Sequence, residues 1–219
     1  MLRYESREIP NTLAETVDPG HTALIVHELL NDFCAEGGAL DKMGHRIDTS
    51  EILPPIVELL ASARASGVRV IYVRYTTHAD RSHLSDPAIL RFLGGAWSTP
   101  GELPQWAVDG TWGWSNLEEV APLPEEPIVK KFRPDMFFST PLDALLRWNK
   151  IRTAVVVGIG AEVGLVPSVL HGDNLGYFMV APEDCICPAD ASRREDALLY
   201  IRDVGITPTS AEILEAWKR

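Results

Sequence analysis

The stretch TAVVVGIGAEVGLVPS, residues 153–168, decides the fold. A short run of β-branched apolar residues opens into a glycine-rich turn, and a proline follows where a helical pattern begins. A run of this kind reads as a strand buried on both faces. The turn at its end is where such a strand presents a reactive side chain to a ligand. Gly164 stands where that side chain would project, and it has none.

The same rhythm extends outward in both directions. HTALIVHEL predicts a strand at about 22–27, followed by a loop over 28–47. Asp48 and Glu51 have capping-box spacing and predict a helix with apolar positions Ile52, Ile56, Leu59, Leu60 and Ala63, closed by Gly67. VRVIYVRY, 68–75, is a second strand. Residues 76–127 read as irregular and carry Trp97, Trp106, Trp112 and Trp114. A loop this long inside a compact domain is usually functional. PIVKKF is a short strand, and Thr140 with Pro141 opens a helix to about Asn149. A strand over 153–158 is followed by a helix from about 165 to 174, the strand GYFMVAPED, and a helix from Asp190 to Val204. GITPT reads as a last short strand, and Thr209 with Glu212 forms a second capping box.

Strands that are apolar throughout, alternating with helices, predict an α/β three-layer sandwich with a mostly parallel central sheet flanked by helices. Residues 1–20 are polar, with Pro10 and Pro19, and read as an N-terminal arm on the surface or on a neighbouring subunit. Residues 21–219 read as a single domain.

Composition excludes several partners. The formal net charge is −11 and no Lys/Arg stripe forms, which argues against nucleic acid. MLRYESREIP resembles neither a signal nor a transit peptide, and no apolar run approaches the ~20 residues that span a bilayer, so no membrane partner is expected. Cys34, Cys185 and Cys187 make neither a disulfide framework nor a CxxC pair. A cytoplasmic protein with reduced thiols is the expectation.

Three segments fall at the carboxyl ends of the predicted strands: ALIVHELLNDF (23–33), KFRPDMFFST (131–140) and GIGAEVGLVPSVLHGDNLGY (158–177). In this order they resemble the isochorismatase-like superfamily of cysteine hydrolases, whose motifs read like ALLVIDMQNDF, KxRxSxFxxT and GVATNVCVxxTxxxAxxxGY. GTWG, 110–113, is similar to the family's mid-chain segment. The resemblance runs from residue 20 to about 205 and implies an Asp-Lys-Cys triad. By position Lys131 is the Lys, His27 replaces the Asp and Gly164 replaces the Cys. The covalent cysteine mechanism is therefore absent, and no other Cys falls at the right place. The resemblance further implies an oxyanion hole from the Gly160 and Gly164 amides and a cis peptide at Ile159–Gly160.

The reading that follows is a diverged hydrolase acting on a small molecule, at an amide or ureide C–N bond or a vinyl-ether C–O bond. His27 would transfer a proton through a water occupying the space the Cys has left, with Lys131 holding negative charge. Glu28, Phe33, Trp112, Arg133, Phe137 and Glu162 are the candidate substrate-binding residues, with Arg74 a further candidate for an anion. One of Glu28 and Glu162 is expected to pair with Lys131. In a pocket that no longer works, Glu162 or Met136 would be the plug. His78 and His83 raise the question of a metal, but Thr76 stands where the family's metal-binding members have an Asp, so neither metal nor cofactor is expected. The alternative is a catalytically inactive pseudo-hydrolase kept as a ligand-binding or oligomeric partner. The family implies a homodimer or homotetramer.

Overall fold

The computed structural model describes residues 1–94, 103 and 105–218. A hairpin of β1 (Leu2–Tyr4) and β2 (Arg7–Ile9) precedes α1 (Leu13–Thr16) and β3 (Thr22–His27). Then come α2 (Asn31–Cys34), α3 (Ala39–Lys42), α4 (Leu53–Ser66), β4 (Arg69–Tyr75), α5 (Asp86–Gly94) and β5 (Ile128–Lys131). The second half holds α6 (Leu142–Trp148), β6 (Thr153–Ile159), α7 (Val166–Asn174), β7 (Phe178–Val180), β8 (Ile186–Cys187), α8 (Arg194–Val204) and α9 (Ser210–Trp217). None of the helices is long and apolar enough to cross a membrane among the described residues.

The central sheet has the order β5-β4-β3-β6-β7, with β8 beside the end of β6, and every pairing in it is parallel. Every residue of β3 and β6 is buried, as their uninterrupted apolar runs require. Alternate strand residues face opposite layers. Leu24, Val26, Tyr72 and Val155 pack with α4 and α9, while Ala23, Ile25, Ile71 and Val156 pack with α6, α7 and α8. Three layers result, as the sequence predicts.

Local details differ from expectation. The α4 helix begins at Leu53, later than the Asp48 cap predicts, and its N-cap residue, Ile52, has no side-chain acceptor; Asp48 accepts from Ser50 N at 2.9 Å in a turn ahead of the helix. Gly67 closes this helix in the left-handed region at φ 73°. GITPT contributes one bridge, Val180 to Ile206, rather than a strand. The region read as irregular contains α5. Of the N-terminal arm, β1 is exposed and β2 nearly so, whereas Val17 is buried and its carbonyl accepts from Trp217 Nε1 at 2.8 Å.

The chain runs β3, β4, β5 toward one edge and then jumps across β3 to β6. The switch point therefore lies between β3 and β6, where a crevice opens beyond the strands' carboxyl ends. There His27 pairs with Gly158, and Tyr75 pairs with Lys131. Gly158 has φ 131°, and a Cβ on it would lie 2.0 Å from the His27 carbonyl oxygen. Only glycine lets the two central strands meet this closely.

Candidate active site

Lys131 is completely buried at the end of β5. Its Nζ lies 2.7 Å from Glu28 Oε1 and 2.8 Å from His27 Nε2, and it also donates to the Pro134 carbonyl. Burial pushes the Lys131 pKa down, and the Glu28 carboxylate pulls it back toward the charged form. Glu28 is thus the acid that meets Lys131. Its side chain is 13% exposed and faces the cavity. Its backbone sits at φ 56°, a left-handed conformation that costs a non-glycine residue about 1 kcal/mol. Glu28 N–H donates to Val73 O at 3.0 Å and Glu28 O accepts from Leu30 N at 2.7 Å, so bonds on both sides hold that geometry.

His27 lies beneath this pair with no exposed surface. Its Nδ1 is 3.0 Å from the Ile159 carbonyl, which can only accept, so Nδ1 carries the hydrogen and Nε2 is left to accept from Lys131. That is the neutral imidazole. Burial, then the Lys131 charge, push its pKa down to about 4, against weaker upward pulls from Glu28 and Ile159 O. Because the ordinary His value is near 6.5, the unfolded chain binds a proton between about pH 6.5 and 4 that the folded chain refuses. Stability from this group is complete above pH 6.5 and falls as pH drops to 4, by about 3 kcal/mol. Urea unfolding from pH 7.5 to 4 should show that slope, and His27→Asn should flatten it; an unchanged slope would place the titration elsewhere.

Gly164 lines the cavity directly above His27. A Cβ built on it would lie 2.6 Å from His27 Cε1, 3.1 Å from Nε2 and 3.3 Å from Lys131 Nζ. The imidazole therefore occupies the space expected to hold a water. Gly164 N–H donates to Gly160 O at 2.7 Å, within a π-helical turn over Ala161–Leu165 that leads into α7. Gly160 starts this turn at φ 72°. No cis peptide occurs among the described residues, so the Ile159–Gly160 bond is trans, contrary to expectation.

The cavity measures about 430 Å³ and is lined at its floor by Glu28, Lys131, Gly160 and Gly164, with Phe33 and Arg133 on its sides. The remaining candidates stand apart from it. Glu162 accepts from Ala189 N and Asp190 N, both at 3.0 Å, and so secures the loop after β8 rather than pairing with Lys131. Phe137 stacks on Tyr177 and, with Met136, belongs to the layer of α6 and α7. Neither Glu162 nor Met136 fills the cavity. Trp112 is 58% exposed and offers its carbonyl to Asn31 Nδ2. Arg74 is buried, bonded to Asn116 Oδ1 at 2.7 Å and stacked over Trp114. Trp97 lies outside the described residues.

Among the described tryptophans, Trp106 is the one that lines the cavity. Sequence reasoning counted the cluster but could not choose among its members. It also missed Asp32, whose Oδ2 accepts from Ala107 N at 2.7 Å and whose Oδ1 accepts from Ala39 N at 3.0 Å, tying the Trp106 segment to α3. The signal was present in the NDF of the first motif.

His78 and His83 sit in a neighbouring cavity of about 350 Å³, where His78 stacks on Phe132 and its N–H donates to His83 Nδ1. Among the described residues no three His, Cys, Asp or Glu groups form a metal cluster. All three cysteines are buried, and burial pushes their thiols up, Cys187 to about 12, so none supplies a thiolate at neutral pH.

The family model for the isochorismatase domain matches residues 22–213. The ureidoacrylate amidohydrolase RutB of Cronobacter sakazakii is 30% identical over 193 residues, 85% of this chain and 83% of the relative. That of Rhizobium rhizogenes is 33% identical over 175 residues, 77% of this chain and 71% of the relative. The crystal structure of a cysteine hydrolase from Pseudomonas syringae pv. phaseolicola 1448A is similar with a TM-score of 0.80 at 25% identity, covering 97% of this chain and 98% of that one. The chain belongs to the isochorismatase family of hydrolases.

Proposed function

We propose that the protein hydrolyses an amide or ureide C–N bond of a small molecule by direct attack of water, with Glu28 and Lys131 as the catalytic pair. One observation carries this reading. Glu28 Oε1 meets the buried Lys131 Nζ at 2.7 Å in the floor of the cavity, whereas His27 is sealed beneath it. The acid missing at position 27 is thus supplied by the next residue, turned inward by its left-handed backbone.

Glu28 takes a proton from the water as its oxygen attacks the carbonyl carbon. Lys131 holds charge at the floor as the carbonyl oxygen becomes negative, and Gly160 N–H is the backbone donor for that oxygen. Glu28 then returns the proton to the departing nitrogen as the C–N bond breaks. His27 acts through Lys131: as a neutral acceptor it orients the ammonium without competing for charge. The relatives named as ureidoacrylate amidohydrolases support the C–N bond over the vinyl-ether C–O bond.

The test is Glu28→Gln, which keeps shape and removes the base. Turnover of an accepted amide or ureide should fall about a hundredfold or more, with binding retained. Turnover that survives this change and is lost in His27→Asn would return the proton transfer to His27. A second reading, ligand binding without turnover, draws on the engagement of Gly164 N–H with Gly160 O, which leaves one backbone donor fewer for an oxyanion. No hydrolysis across amides and ureides, with a compound still raising Tm, is its expected result.

A further inference from the structure

We infer that the cavity takes a substrate with an aryl or branched-alkyl group, whose polar bond rests on the floor and whose apolar part fills the walls. The inference deepens the hydrolytic reading and rests on it only for the rates.

Charge in the cavity is confined. Among its described lining residues only Glu28, Lys131 and Arg133 are charged. Glu28 and Lys131 face each other, and Arg133 Nη1 donates to the carbonyls of His83 and Phe132. The walls are apolar: Phe33, Ile47, Phe92, Trp106 and Phe132 all line the space. Phe33 and Phe92 both meet Trp106 edge-on, with centroids 6.5 Å and 5.8 Å away. The Asp32 bond to Ala107 N fixes the segment carrying Trp106, so this wall is formed before a ligand arrives. A volume of about 430 Å³ exceeds what a one- or two-carbon amide fills. An apolar group there gains roughly fourfold in affinity or kcat/KM per buried methylene.

The experiment uses the full chain with acetamide, butyramide, hexanamide and phenylacetamide, and with the correspondingly substituted ureas. Ammonia release gives kcat/KM, and calorimetry gives affinity. Both should climb along the series, to a few hundredfold from acetamide to hexanamide and phenylacetamide. Trp106→Ala should flatten the climb in affinity, and Trp106→Phe should keep most of it. If nothing is hydrolysed yet affinity climbs in the same way, the apolar cavity stands and the hydrolytic reading fails. Rates and affinities that stay level or fall along the series, or no binding by any member, would overturn the inference.

Discussion

Lys131→Met should abolish turnover and destabilise the fold by about 3–5 kcal/mol. The methionine keeps the buried stem but removes the only group that meets Glu28, His27 and the Pro134 carbonyl together. Glu28 is left as a poorly solvated carboxylate with no counter-charge, and His27 Nε2 loses its donor. The loss belongs to the broken pair more than to the lysine itself. The double variant Lys131→Met/Glu28→Gln should therefore recover part of the stability while staying inactive, with a coupling of about 1–3 kcal/mol in urea unfolding. Strictly additive losses would show that the two charges do not depend on each other. Substantial activity in the single variant would remove Lys131 from the proposed chemistry.

The second large effect concerns Gly164. Restoring a cysteine there by Gly164→Cys should not restore a cysteine hydrolase. The new Cβ would arrive 2.6 Å from His27 Cε1, at the cavity floor, where His27 itself is fully enclosed. Overpacking of this kind costs about 1–3 kcal/mol, and the thiol would be pressed against a neutral imidazole. Pairing it with His27→Asp replaces the ring by a shorter carboxylate and sets an Asp and a Cys beside Lys131, the triad that the resemblance implies for these positions. The double variant should be more stable than Gly164→Cys alone and should acquire a thiol that iodoacetamide alkylates, with turnover that alkylation destroys. A Gly164→Cys protein as stable as the parent would mean that the imidazole moves aside easily, and that its place over Gly164 is incidental.

Much of the fold was legible because its signals are local. Uninterrupted apolar runs mark strands buried on both faces, and β3, β4 and β6 fall within a residue or so of where those runs lie. Cap chemistry placed the ends of α4 and α9 at Gly67 and Thr209, and failed at Asp48 because its bond to Ser50 N closes a turn that stops short of the helix. The site was legible as a set of positions and illegible as a set of contacts. That positions 27 and 164 hold a His and a Gly is visible in the letters; that the imidazole lies against Gly164 is visible only in space. Glu28 was legible as one of two acids that could meet Lys131, and the sequence could not choose between it and Glu162. What was hidden is the means: strand alternation aims successive side chains to opposite faces, and nothing in the sequence announces the left-handed glutamate that turns Glu28 inward.

The close approach of His27 to Gly164 also bears on how such a site can change over generations. A chain carrying His27 finds every side chain at position 164 obstructed, so a larger residue there comes at a cost until position 27 shrinks. A chain that exchanges His27 first opens a hole beside a buried ammonium before anything fills it. Each order of steps passes through a poorer protein, and the two positions therefore hold one another in place. The ring does more than lie against a glycine: it makes the two positions one unit, in which neither can be exchanged without regard to the other.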